Sequence, residues 1–233
     1  MIQNLQSKES LIRRGIGDGM PIFIGYFPAA VAFGLLSRNG GLLFPEALFF
    51  SMSNFAGASQ FLALKLTLSG SAVYEIIIGV LLVNLRYLLM SASLAPKVKA
   101  RLFKRSLLAF GNTDEVFAVA SMAGERVPAR YMVAMESVAW CGWVSGTITG
   151  FLFGAILPAS MQLAVGGSLY ALFAALLVPE IKREQKNLLI ALLAGGVNTA
   201  AVFLFRVPVG WAFVLALIST SLFGAWYLKE SAL

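Results

Sequence analysis

The chain has 233 residues, of which 59% are hydrophobic and 12% are charged, whereas an average soluble domain carries roughly 25% charged residues. This composition excludes an ordinary soluble globular protein and indicates an integral membrane protein, in which each helical span takes about 20 residues. The net charge of +7 comes from short basic clusters between apolar runs, which is the pattern of topology signals rather than of a nucleic-acid-binding face.

Histidine is absent from the chain, and cysteine occurs once, at Cys141. Without imidazole there can be no histidine metal site, histidine proton relay or Ser-His or Cys-His dyad. A single cysteine inside an apolar run predicts neither a disulfide nor a metal site. The chain also has no Gly-x-x-x-x-Gly-Lys-Ser/Thr loop for nucleotide phosphates. We therefore expect no enzyme activity, no metal and no cofactor.

Apolar runs of membrane-spanning length recur along the chain and predict an all-α polytopic membrane protein with about seven transmembrane helices. One further stretch, 106–124, is apolar at its ends but carries Asn112, Asp114 and Glu115 in its middle. We expect a helical hairpin or a cytoplasmic-side segment there, with a full span as the alternative. The predicted spans are 15–37, 43–68, 72–95, 131–157, 163–178, 188–205 and 209–228.

Basic residues cluster after the third and the fifth predicted spans, and cytoplasmic loops carry such an excess. If 106–124 does not cross, two spans separate these loops, which places the C-terminus inside and the N-terminus outside. Lys8, Arg13 and Arg14 precede the first span and favour the opposite start, so the side of the N-terminus stays open. The clusters are Lys97, Lys99, Arg101, Lys104 and Arg105 in the first loop, and Lys182, Arg183 and Lys186 in the second.

The two halves of the chain follow a similar order of elements. Gly57 interrupts the second predicted span, Gly166 and Gly167 interrupt the fifth, and Asn84 and Asn198 each lie within the span that follows. Two three-span halves joined by a non-spanning linker are inverted with respect to each other, as in many secondary transporters. We predict one transporter domain over 1–233, with repeat 1 at about 15–96, a cytoplasmic linker at about 97–130, repeat 2 at about 131–206 and an extra helix at about 207–229.

The interruption of the second span, at 53–61, is the strongest indication of a binding site. Polar or non-helical sequence at membrane depth is tolerated only inside protein or beside a water-filled cavity, and free amides at the start of a half-helix attract an anion such as a carboxylate. The alternative is close helix packing through the small residues, with the polar side chains bonded to neighbours. The candidate substrate-binding residues are Asn54, Phe55, Gly57, Ala58, Ser59, Gln60, Phe61 and Asn84.

Two acidic residues, Asp18 and Glu136, are the candidates for proton coupling. A carboxylate within a span is costly, so one that persists is usually paired or functional. Asp18 lies near the start of the first span and could instead cap that helix, with Pro21 just after it. Glu136 lies five residues into the fourth predicted span.

Arg86 lies near the cytoplasmic end of the third span. It could bind a substrate carboxylate bidentately, extend toward lipid headgroups or pair with an acid, for which Asp114 or Glu115 is the natural candidate. Glycines at every fourth position of the fourth span predict close packing against another helix. These glycines are Gly142, Gly146, Gly150 and Gly154, and the other positions with a predicted structural or gating role are Pro21, Pro28, Gly166, Gly167 and Asn198.

Several short motifs together resemble those of the AzlC family, the large subunit of two-component branched-chain amino acid exporters, over nearly the whole chain. The resemblance implies export of L-valine and related amino acids, including leucine, isoleucine and methionine, across a bacterial cytoplasmic (inner) membrane, together with a small hydrophobic AzlD-type subunit. The motifs are Gly19-x-Pro21, Pro28, Phe33-Gly34-Leu35, Phe55-Ala56-Gly57-Ala58-Ser59-Gln60-Phe61, Asn84-Leu85-Arg86-Tyr87, Leu94-Ala95-Pro96 and Thr113-Asp114-Glu115-x-Phe117.

The residues and the resemblance together predict a secondary exporter driven by proton antiport. The amino-acid carboxylate would meet half-helix amides at Gly57, with Asn54 or Gln60, and the branched side chain would lie between Phe55 and Phe61. The expected partners are the amino acid, the small subunit and membrane lipid, without nucleic acid. The alternative is a passive channel for ions or small solutes. A third class is an intramembrane enzyme, which the lack of histidine and of any clustered nucleophile disfavours, or a membrane scaffold, which loss of efflux on deletion would exclude.

Overall fold

The computed structural model describes residues 8–98, 100–124, 126–156, 158, 160, 174, 177–178, 181–182, 184–207 and 209–229. Within these residues the regular structure is helical and contains no strand, in agreement with the all-α prediction. The helices are α1 (Lys8–Asn39), α2 (Phe44–Ser53), α3 (Gly57–Leu68), α4 (Val73–Leu94), α5 (Leu102–Gly111), α6 (Asp114–Met122), α7 (Ala129–Phe153), α8 (Lys186–Phe203) and α9 (Val209–Lys229), and a 3-10 turn (Gly154–Ile156) follows α7.

Four described helices are long and apolar enough to cross a membrane, as expected of a membrane protein. They are Glu9–Asn39, Val73–Leu94, Ala129–Ile156 and Lys186–Phe203, and Val214–Tyr227 is a shorter apolar stretch within α9. The predicted span 163–178 lies almost entirely outside the described residues, as do Gly166 and Gly167. The count of seven spans and the inverted repeat therefore stay predictions.

The described residues divide into two units that are internally compact: 1–60 with 85–169, and 61–84 with 170–233. In the second unit, α8 packs against α9, where the Lys186 ammonium lies 5.5 Å from the centre of the Tyr227 ring. Gly224 also allows close packing there, because an added Cβ would lie 3.1 Å from Ile190. The residues with the clearest polar chemistry belong to the first unit.

The first unit is built on α1 packed along α7. The glycines of α7 bring the two main chains into contact, since a Cβ on Gly146 would lie 2.6 Å from the Phe27 carbonyl oxygen and one on Gly142 would lie 2.9 Å from Phe23. Gly34 of α1 allows the same close approach from the other helix, because a Cβ added there would collide with the Thr147 carbonyl of α7. The predicted packing role of the α7 glycines is confirmed.

The first helix begins earlier than predicted, at Lys8, and continues through Pro21 and Pro28. Asp18 therefore lies ten residues inside α1. The interpretation of Asp18 as a helix N-cap is wrong, because the apolar run that suggested the start at Gly15 is preceded by a polar helical turn.

The second predicted span is interrupted, as its polar centre predicts. α2 ends at Ser53, α3 begins at Gly57, and residues 54–56 between them are not helical. The start of α2 is capped by Glu46, whose carboxylate accepts from the Leu43 amide at 2.8 Å, with Pro45 in the first turn.

Two short helices, α5 and α6, occupy the polar stretch that follows the third predicted span. They have 10 and 9 residues, too few for either to cross a bilayer alone. Thr113 is the N-cap of α6, and its hydroxyl oxygen accepts from the Val116 amide at 3.4 Å. Asp114 and Glu115 follow in the first turn, where the helix dipole favours acidic side chains.

Candidate functional site

Gln60 bridges the interruption between α2 and α3. Its side chain is fully buried, and its amide nitrogen donates to the Phe50 carbonyl at 3.1 Å and to the Asn54 carbonyl. Its amide oxygen accepts from the Trp143 indole at 3.0 Å and from the Ser51 hydroxyl at 3.5 Å. The Gln60 side chain thus replaces helical hydrogen bonds that the break removes and ties the break to α7.

The small residues of the break are also in contact with protein. An added Cβ on Gly57 would lie 2.7 Å from the Trp143 ring, and the fully buried Ser59 donates to the Ala56 carbonyl at 2.9 Å. The half-buried Asn54 side chain reaches the Ser59 hydroxyl at 3.5 Å. Gly57, Ser59 and Gln60 therefore make the contacts that the alternative interpretation predicts, namely close helix packing with the polar side chains bonded to neighbours.

A cavity of about 220 Å³ lies beside the break, between α5 and α7. Three aromatic rings line it, with the carboxyl group of Glu136 and the hydroxyl of Ser137 on the α7 side. The cavity joins Phe55, a predicted substrate-binding residue, to Glu136, a predicted proton-coupling residue. The lining residues are Phe55, Leu107, Phe110, Gly111, Val133, Glu136, Ser137 and Trp140.

The carboxyl group of Glu136 is buried in the wall of this cavity and, within the described part of the chain, lacks a hydrogen-bond partner for one of its oxygens. Glu136 is 6% exposed, and its Oε1 has no hydrogen-bond partner among the described residues. Gly111 makes room for it, because a Cβ there would lie 2.5 Å from the Glu136 carboxyl carbon. A buried carboxyl without a partner either keeps its proton or binds a cation, and aromatic faces such as those of Phe110 and Trp140 favour an ammonium group.

Asp18 has partners, unlike Glu136. Its carboxylate accepts from the Tyr131 hydroxyl at 2.6 Å, and the Arg14 guanidinium lies 3.7 Å away. The Asp18 side chain is 39% exposed. The structure therefore places the two predicted proton-coupling residues in different settings, one paired and partly exposed on α1 and one buried beside a cavity.

The first turn of α6 holds two acidic residues that connect to two other helices of the first unit. Asp114 forms an ion pair with Arg86 of α4 at 2.9 Å, which is one of the two partners predicted for that arginine. Glu115 accepts from the hydroxyl of Tyr26 in α1. The Arg86 guanidinium also lies 5.1 Å from the centre of the Tyr87 ring. Arg86 is thus paired through its terminal Nη2 nitrogen, whereas its buried Nε has no hydrogen-bond partner among the described residues.

The remaining predicted residues are not among those that line this cavity. Asn84 in α4, Phe61 in α3 and Asn198 in α8 belong to the second unit, and the buried Oδ1 of Asn84 has no partner among the described residues. Ala58 lies in the first turn of α3. Pro28 is on the exposed side of α1. Their predicted roles stay predictions.

Phe110, Trp140 and Ser137 belong to the cavity and give no signal in the sequence. Aromatic residues are common in membrane helices, both as filler and at the interfaces, so their presence does not indicate a site. The nearest signal is Gly111, which ends α5 beside the polar Asn112-Thr113, and that signal indicates a chain turn rather than a cavity.

Comparison with known proteins places the chain among membrane proteins. The family model described as AzlC protein matches residues 21–157. The inner membrane protein YgaZ of Escherichia coli K12 is 36% identical over 205 residues, 84% of this chain and 82% of that protein. An uncharacterized membrane protein of Archaeoglobus fulgidus is 37% identical over 202 residues, 86% of this chain and 88% of that protein.

A more distant relative has a name that states an activity. The branched-chain amino acid transport protein AzlC of Bacillus subtilis 168 is 26% identical over 191 residues, 80% of this chain and 74% of that protein. No solved structure matches this chain. The matched range, 21–157, includes every residue that lines the Glu136 cavity. The chain belongs to the AzlC family of membrane proteins.

Proposed function

We propose that this chain is a secondary active exporter of branched-chain amino acids across the bacterial cytoplasmic membrane, driven by proton antiport. The observation that carries the proposal is the buried, unpartnered Glu136 carboxyl in a cavity lined by Phe55, Phe110 and Trp140. The name of the Bacillus subtilis relative supports the substrate class. L-valine is the proposed substrate, with leucine, isoleucine and methionine as related ones.

In the proposed cycle, Glu136 exchanges an ammonium group for a proton. The substrate ammonium binds the deprotonated carboxylate, with the aromatic rings around it, and the aliphatic side chain contacts apolar walls. Protonation from outside releases the amino acid, and the neutral carboxyl then returns and gives its proton to the cytoplasm, which restores the carboxylate for the next substrate. Because a carboxyl group cannot hold both a proton and an ammonium ion pair, this exchange couples the two flows.

The chain is further proposed to act with a small AzlD-type membrane subunit. Helices α4 and α8 offer apolar surface for such a partner or for lipid. In each of them, only 6% of the most apolar 18-residue window is buried within the described protein.

The proposal is tested by efflux of labelled valine from bacteria loaded with a valine-containing dipeptide, with and without this gene and that of the small subunit. We expect Glu136→Gln to reduce efflux at least about ten-fold and to remove its response to the pH gradient, while Glu9→Gln, at an exposed position of α1, leaves both unchanged. Efflux that does not depend on the gene would refute the function.

The coupling scheme has its own refutation. Unchanged efflux in both Glu136→Gln and Asp18→Asn would remove carboxylate coupling while leaving export in place. Purified protein in vesicles separates an exporter from a channel, because an exporter saturates with substrate and a channel conducts without saturation.

A further inference from the structure

A second cavity, of about 170 Å³, lies on another side of α5, and nothing in the proposed cycle uses it. Leu108 and Ala109 of α5 and Asn112 directly after this helix line the second cavity, whereas Leu107, Phe110 and Gly111 line the Glu136 cavity. The last turns of α5 therefore separate two cavities of the first unit.

The wall of this second cavity is largely aliphatic. Its lining includes Leu94 at the end of α4, Val98 in the segment after α4, Leu108 of α5 and Met132 of α7, and all four are at least 95% buried. The cavity contains no aromatic ring among its described lining residues. Such a surface suits a branched or unbranched aliphatic side chain.

Two polar groups of opposite character complete the lining. Asn112 is 3% exposed; its amide nitrogen donates to the Ser91 hydroxyl at 3.3 Å, and its Oδ1 has no partner among the described residues. Arg105 offers five N–H donors, and within the described part of the chain its guanidinium makes one long hydrogen bond, of 3.4 Å, to the Val98 carbonyl. One group thus needs a donor, and the other can bind an anion.

We infer that this cavity is a second binding site for an aliphatic α-amino acid. The Arg105 guanidinium binds the carboxylate, Asn112 Oδ1 accepts from the ammonium group, and the side chain lies against Leu94, Leu108 and Met132. The inference rests on the proposed function for the class of ligand. The cavity lies next to the basic segment 97–105, so the positive-inside rule puts it at the cytoplasmic end, where an exporter receives its substrate.

The site is tested by protection of a cysteine in purified full-length protein in detergent. Cys141→Ser removes the native thiol, and Ala109→Cys places one in the cavity wall. We expect saturating L-valine to slow alkylation of this thiol by N-ethylmaleimide several-fold. Isobutyric acid and isobutylamine, which each lack one charged group, should protect much less. Phe103→Cys is the matched control, because it is on the same helix and 82% exposed.

Substitutions of the two polar groups locate the bound charges. We expect Arg105→Gln and Asn112→Ala each to raise the half-protective valine concentration about ten-fold or more, as the loss of one charge-assisted hydrogen bond predicts. Lys104→Gln removes a neighbouring charge that does not line the cavity and should leave the value unchanged.

Three results would overturn the inference. The first is that no branched-chain amino acid protects the thiol of Ala109→Cys, and the second is that neither Arg105→Gln nor Asn112→Ala changes the protection. The third is that Glu136→Gln shifts the half-protective valine concentration. The last would mean that valine acts from the other cavity. Protection is measured without transport, so valine that protects but is not exported refutes the proposed function alone. Export without protection refutes this site alone.

Discussion

The indole nitrogen of Trp143 donates to the amide oxygen of Gln60 at 3.0 Å, with both side chains buried. The same Gln60 amide satisfies carbonyl groups of Phe50 and Asn54 through its nitrogen. A single side chain therefore supplies hydrogen bonds to a broken helix and to the helix it packs on. This is how the interruption at 54–56 persists inside an apolar protein.

Replacing Gln60 by leucine should destabilise the protein by about 1–3 kcal/mol, because buried donors and acceptors lose their partners while the volume is nearly kept. The measurement is thermal unfolding of the purified protein in detergent. Ser53→Ala serves as the control, since the Ser53 hydroxyl is exposed and bonds only within its own helix. Equal stability of Gln60→Leu and the unsubstituted protein would contradict this role.

Gly150→Ala should destabilise the α1–α7 pair by about 1–3 kcal/mol, the usual cost of overpacking. The added methyl would collide with the Val31 carbonyl group, and backbone cannot move aside as a flexible side chain can. Gly25→Ala, on α1 with nothing within 4 Å of the new Cβ, should be neutral or slightly stabilising. If both variants unfold at the same temperature, the close approach of the two helices is refuted.

Arg86 and Asp114 should behave as a coupled pair. Either Arg86→Gln or Asp114→Asn removes one charge and leaves the other, so each should reduce stability, and the double variant should lose less than the sum. The interaction energy in a double-mutant cycle should fall within about 0.5–3 kcal/mol, toward the lower end because the Arg86 side chain is 37% exposed. Strict additivity would show that the ion pair contributes nothing.

Tyr26→Phe should destabilise the protein by about 1–3 kcal/mol, since it takes the hydroxyl donor from the Glu115 carboxylate in a part-buried setting. Tyr74→Phe is the matched change at a tyrosine that is 56% exposed, and its effect should be small. Thermal unfolding of the two variants, compared under one condition, checks the difference. A larger loss from Tyr74→Phe would contradict the role of the Tyr26 hydroxyl.

The sequence predicted the elements whose signal is local. The polar centre at 53–61, the glycines at every fourth position of α7 and the acids after Thr113 each act within a few residues, and the structure contains the break, the close packing and the ion pair they indicate. The limits of α1 were missed, because charged residues near a membrane surface continue a helix without an apolar signal.

The content of the candidate site could not be predicted in the same way. Glu136 and Phe55 are 81 positions apart in the chain, and only the packing of α5 and α7 beside the break brings them to one cavity. Gln60 carries an amide side chain of the kind expected in a ligand-binding site, yet its donors and acceptor are bonded to other groups of the protein. Whether an amide is free for a ligand depends on its neighbours in space, which the order of residues does not give.

The contact of main chains between α1 and α7 restricts how this protein can change shape. Where Gly146 faces the Phe27 carbonyl, the two main chains are in direct contact, so slight parting would open an empty slot and forfeit dispersion energy along several turns. We therefore expect α1 and α7 to move together as one rigid element. Any opening of a path through the first unit has to come from bending or tilting of the shorter pieces beside it, α2, α5 and α6.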